Sequence, residues 1–99
     1  MITVAVCDDA ITMVQSMKKK LEEYGKETSK ELRIFTFSSG EELLEYYSWR
    51  YDILFLDIKM PGVNGIEVAK KIRMRDKKVI IIFLTSLIEH ALDGYSVNA

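Results

Sequence analysis

Ninety-nine residues, 48% of them apolar, suffice for one domain with a modest core and not for two. Fourteen Lys and Arg nearly balance fifteen Asp and Glu, giving a net charge of −1, so no bulk positive field draws the chain to nucleic acid or to an anionic membrane. The single cysteine, Cys7, excludes an internal disulfide, the longest apolar run (79–84) is far too short to span a bilayer, and no basic stretch leads an apolar one at the N-terminus. A soluble, cytoplasmic chain is expected.

Residues 2–7 are β-branched and apolar and end abruptly in Asp8-Asp9, the pattern of a buried strand finishing on acid. From Ala10 the period changes. Ile11, Val14, Met17, Leu21 and Tyr24 fall three or four apart while Lys18, Lys19, Lys20, Glu22 and Glu23 fill the other side, which predicts an amphipathic helix ending between Gly25 and Ser29. The lysine run reads as a solvated face. Residues 32–37 alternate enough for a strand near a sheet edge, and Ser39 with Glu42 forms a capping box that opens a helix expected to reach about Trp49. Tyr46, Tyr47, Trp49 and Tyr51 read as packing against the sheet rather than as a stacking surface for bases.

Residues 53–56 are apolar without alternation, which predicts a strand buried on both faces, and the strand stops on Asp57. Pro61 cannot donate to a ladder, and Gly62, Asn64 and Gly65 tolerate positive φ, so the chain turns there before a helix whose buried side carries Ile66, Ala69 and Ile72. After the turn at Asp76-Lys77-Lys78, residues 79–84 read as the most buried strand, ending on Thr85. Ser86 with Glu89 is a further capping box, and Gly94 a natural stop for the short helix it opens; His90 on that helix is alone and is not expected to bind metal. Four strand-to-helix alternations require right-handed crossovers and a doubly wound, mainly parallel α/β sheet.

Three of the four strands thus end in oxygen-bearing side chains: Asp8 and Asp9, then Asp57, then Thr85. In a doubly wound sheet these ends converge on one edge, where ligands bind. Three acids in one cleft repel one another unless a divalent cation sits among them, and an oxygen-only, incomplete ligand shell favours Mg²⁺. Mg²⁺ beside a free carboxylate is equipment for phosphoryl transfer, with Asp57 as nucleophile and the Thr85 hydroxyl as donor to a phosphoryl oxygen.

The set Asp8-Asp9, Asp57, Met60-Pro61-Gly62 with Gly65, and Thr85 resembles the receiver domain of two-component response regulators. Residues 91–99 further resemble receivers that precede a LytTR-type DNA-binding domain. The resemblance implies a flavodoxin-like fold with strand order 2-1-3-4-5. It implies that Asp57 takes a phosphoryl group from a sensor histidine kinase, that Asp8 or Asp9, Asp57 and the backbone carbonyl of Lys59 hold Mg²⁺, and that Thr85 follows the phosphoryl group. Such a domain is a signalling phosphoacceptor rather than an enzyme, and it switches an output domain while touching neither nucleic acid nor membrane itself. A receiver has five strand–helix units, and residues 1–99 read as one domain lacking the fifth strand and helix, with the lysine that pairs the phosphoryl group expected beyond Ala99. The fourth strand is then an apolar edge, through which, or through an exchanged segment, a homodimer is expected.

Two other readings stand beside this one. A Mg²⁺-dependent phosphohydrolase with an Asp nucleophile usually carries a second acid two residues on, where this chain has Lys59. A receiver-like interaction module that is never phosphorylated would bind its partner unimpaired with Asp57→Asn. A flavodoxin-like nucleotide binder is disfavoured, because Asp8-Asp9 stands where a Gly-rich phosphate loop would follow the first strand.

Overall fold

A segment apolar at every position from Val4 to Cys7 has to lie inside, with strands on both sides, and strand β1 (Ile2–Cys7) does. The computed structural model describes residues 1–48 and 50–84. In it β1 pairs in parallel with β2 (Leu32–Phe37) and with β3 (Ile53–Asp57), and β3 pairs in parallel with β4 (Ile80–Leu84), giving the order β2-β1-β3-β4. Helices α1 (Ile11–Thr28), α2 (Gly40–Glu45) and α3 (Gly65–Arg75) make the connections. This is the doubly wound arrangement expected, and β2 is an edge as its alternation predicted. Trp49, Thr85, the Ser86/Glu89 capping pair, His90 and Gly94 lie outside the described residues.

Ala5, Cys7, Leu54, Leu56 and Ile81 line one face and are closed over by Leu43 of α2 and by Val68, Ala69 and Ile72 of α3. Val4 and Val6 are buried on the opposite face, where α1 packs on β1 and β2. The expectation of strands buried on both faces holds only in part. Leu54 and Leu56 are fully buried but Ile53 and Phe55 are half-buried; Ile81 is buried while Ile80 is 56% and Ile82 40% exposed. Since α1 lies over β1 and β2, the same face of β3 and β4 is less covered among the described residues.

Two helix expectations also need correction. At 18 residues α1 is about 27 Å long against about 20 Å for a six-residue strand, so its first turn overhangs the sheet, and Ile11, placed by its period on the buried face, is 70% exposed. Helix α2 stops at Glu45, well before Trp49. Past that point Tyr47 donates its hydroxyl to Asp76 at 2.7 Å and sets its ring edge-to-face on Tyr51, with centroids 5.2 Å apart, and these tertiary contacts outweigh another helical turn. At the same end of the sheet Asp52 joins three strands: its carboxylate accepts from Thr3 N at 2.8 Å, its amide donates to Thr3 O, and its carbonyl accepts from Ile80 N.

Candidate functional site

Parallel pairing fixes the site. Cys7 lies opposite Leu56, so the next residue of β1's exit, Asp8, and the last of β3, Asp57, leave the sheet side by side. Asp8 is buried, donates its amide to Phe37 O at 3.2 Å and accepts from Ala10 N at 2.9 Å, which fixes its carboxylate at the mouth of α1. Asp9 is exposed and Asp57 half-buried. The plainer role for the first pair, capping the helix that follows, is not what they do: the cap position is Ala10, with no side-chain cap. Instead carboxylate oxygens of Asp8, Asp9 and Asp57 all lie within 4.8 Å of one another.

Charge crowding shows in Asp57. Its carboxyl is pushed up to about 6, first by burial and then by the Asp8 charge, against the opposing pull of the Lys59 backbone amide, which donates to it. Asp9 and the Asp8 side chain's closeness add to the rise. Behind them, Cys7 is buried with its Sγ 3.3 Å from Ser39 O, its thiol pushed up to about 12 by burial and by the same acids. It is a protonated core residue, unsuited to nucleophilic work.

The loop after β3 holds Asp57 in place. Met60 tucks into the core, Gly62 takes φ +77°, and Asn64 caps α3 by accepting from Glu67 N at 3.0 Å. Of the three residues expected to exploit positive φ only Gly62 does so; Asn64 has φ −75° and serves as a cap. Gly65 is needed for a different reason, close approach: its amide donates to Ile58 O at 2.7 Å, and any Cβ would collide with the carbonyl oxygen of Asp57. That seats the start of α3 against the exit of β3.

An octahedral Mg²⁺ site places opposite oxygens about 4.2 Å apart. Three oxygens within 4.8 Å of one another are on the scale of such a site. Lys59 borders the acids through its backbone, its side chain exposed, whereas Thr85 lies outside the described residues. Not legible in the sequence is a cleft of about 260 Å³ beside Asp8 and Asp9, which runs past Ile11 and Val14 to Glu42, whose carboxylate accepts from Ser38 N. Ile11's helical period, which suits a core position, concealed it.

The response regulator receiver domain model matches residues 4–99. Among curated relatives, the sensory transduction protein LytT of Oceanobacillus iheyensis is 45% identical over 64 residues, 62% of this chain and 26% of that protein. The positive alginate biosynthesis regulatory protein of Pseudomonas aeruginosa is 41% identical over 63 residues, 63% of this chain and 25% of that one. The chain thus spans about a quarter of the length of the curated relatives it matches. The response regulator TrrA of Thermotoga maritima, solved in complex with Mg²⁺-BeF, superposes with a TM-score of 0.82 at 37% identity, covering 94% of this chain and 76% of that one. TrrA has also been solved in complex with the histidine kinase ThkA. With a parallel β2-β1-β3-β4 sheet, acids gathered at its carboxyl edge and a family model matched over nearly its whole length, this chain belongs to the receiver domains of two-component response regulators.

Proposed function

We propose that Asp57 is the phosphoacceptor of this receiver, taking a phosphoryl group from a phosphohistidine of a sensor histidine kinase. The observation that carries the reading is the convergence of three carboxylates within 4.8 Å at the ends of two paired strands, with Asp57 on the sheet and the others beside it. In the transfer an Asp57 oxygen attacks phosphorus, the P–N bond to the imidazole breaks, and the leaving imidazole takes a proton. Asp8, Asp9, Asp57 and the Lys59 carbonyl are the residues that would hold Mg²⁺, which supplies neutralisation of the charge gathered on phosphoryl and carboxylate oxygens. The Lys59 amide, which donates to Asp57, favours the charged form of that carboxylate. Asp8, anchored through Ala10 N and Phe37 O, holds its place as charge enters. Thr85 donates to a phosphoryl oxygen and carries the change onward. Joined to an output domain, in the reading proposed one of LytTR type that binds DNA, the domain would act in the cytoplasm; the LytT and alginate-regulator relatives, about four times as long as the matched part, support the presence of a further domain. No described helix is long and apolar enough to cross a membrane.

Intact mass after incubation with Mg²⁺ and acetyl phosphate tests the proposal, on this chain and on the full-length protein. A gain of one phosphate that disappears in Asp57→Asn and on chelation of the metal is expected. A gain that survives Asp57→Asn, or none on the full-length protein, overturns it.

A further inference from the structure

Along edge strand β2, from Arg33 near its start to Phe37 at its end, a cavity of about 350 Å³ lies between the strand and the segment that follows α2. Its wall is aromatic. Tyr51 and Phe37 are buried, and Tyr51 meets Phe35 and Phe37 edge-to-face, with ring centroids 5.6 and 6.2 Å away. Two of its rings are not used up by the core: Phe35 is 40% exposed and Tyr46 65%. The sequence reading treated the tyrosines of this stretch as sheet packing, which holds for Tyr47 and Tyr51 but not for Tyr46. Folding adds two cations from separate segments, Arg33 on β2 and Arg50 ahead of β3. No acid lines the cavity among the described residues, and neither guanidinium meets a carboxylate there. Asp52, next to Tyr51 in sequence, accepts from the Thr3 amide through one carboxylate oxygen.

We infer that this cavity is a binding site for a small planar anion, an aromatic ring carrying one phosphate or carboxylate group. The exposed Phe35 and Tyr46 rings offer the flat surface, and a guanidinium supplies both a two-pronged donor for the anionic group and a plane that stacks on rings. The volume stands at the low end of small-molecule pockets, which run from about 300 to 1,000 Å³, and so admits one ring system with its anion rather than a dinucleotide. Ring and charge must be joined in one molecule, because each half of the site alone is open to water and weak.

Titration of the ¹⁵N-labelled chain, followed by amide shifts, tests this with AMP and indole-3-acetate as the phosphate and carboxylate arms, and with adenosine and inorganic phosphate as the separated halves. At least one joined ligand is expected to give saturable shifts at Arg33, Phe35, Ser48 and Arg50, with binding in the micromolar to millimolar range. Binding should weaken roughly tenfold or more in the doubly substituted Arg33→Gln, Arg50→Gln chain, and stay unchanged in Asp57→Asn, which separates it from the acidic site. Whichever arm binds tighter identifies the anionic group. Phe35→Ala, which removes the ring and leaves both charges, provides a second variant and should weaken binding as well. Lack of saturation by both joined ligands, equal affinity in the double variant, or equal binding of adenosine or phosphate alone would overturn the inference.

Discussion

Asp57 and Asp76 are two partly or wholly buried carboxylates perturbed in opposite directions, and each sign follows from what faces the group. Asp57 is half-buried and faces other acids, so its proton is held more tightly in the folded chain than in the unfolded one. Its charge therefore costs stability; the cost is absent below about pH 4, grows as pH rises toward about 6, and is complete above that. The full shift would correspond to about 3 kcal/mol, and solvent screening of a half-exposed carboxylate brings the expected value nearer about 1 kcal/mol. In chelator and without divalent ions, Asp57→Asn should raise the free energy of urea unfolding by that amount at pH 7 and leave it unchanged at pH 4. Equal effects at both pH values would show that ionisation of Asp57 is not the cause. At Asp76 burial pushes the carboxyl up, but hydrogen bonds from Tyr47 and from the amides of Lys78 and Val79, with Arg73 nearby, outweigh it and hold the group below the usual carboxylate range. Its contribution is present above the ordinary carboxylate pKa and is lost as pH falls through the lowered one.

At the scale of elements, Asp76 ties the segment after α2 to the turn between α3 and β4. Asp76→Ala strands the Lys78 and Val79 amides and the Tyr47 hydroxyl together, and should cost about 3 kcal/mol in denaturant unfolding. Tyr47→Phe removes one donor while the two amides stay satisfied, and about 1 kcal/mol is expected. If both changes cost the same, the tie does not run through the backbone amides. None of this was legible in the sequence, where Asp76 looks like one more polar turn residue before two lysines. The strands were legible, because runs such as 2–7 and 32–37 are bounded by acids and turn residues. So was the acidic cluster, which needs only that Asp8 and Asp57 end neighbouring parallel strands. Helix α2 was misjudged in length, and Ile11 and Ile80 in burial, since local period carries no information on how far a neighbouring helix reaches. The cavity at β2 was hidden because its arginines come from stretches 17 residues apart that only the sheet brings together.

For the molecule as a whole, the acids concentrate negative charge at one edge of a chain that is otherwise nearly neutral. A cation that binds the folded state alone stabilises it by mass action. Mg²⁺ at about 100 times its dissociation constant should add about 2.7 kcal/mol, and a domain of this size should then melt roughly 10 °C higher or more. The gain should vanish when Asp8 and Asp9 are both changed to Asn, as read by calorimetry. A similar rise in that variant would place the ion elsewhere.

The position of β1 between β2 and β3 also sets the order of events during synthesis. Of these four strands the first to be made is one that needs partners on both sides, and the second of these, β3, ends only at Asp57. At about 5–20 residues per second, several seconds pass before Val4 to Cys7 can be enclosed. Through that interval the nascent chain displays an apolar segment next to an acidic pair. The charges of Asp8 and Asp9 then act as gatekeepers against aggregation, a service rendered before there is any site for them to build.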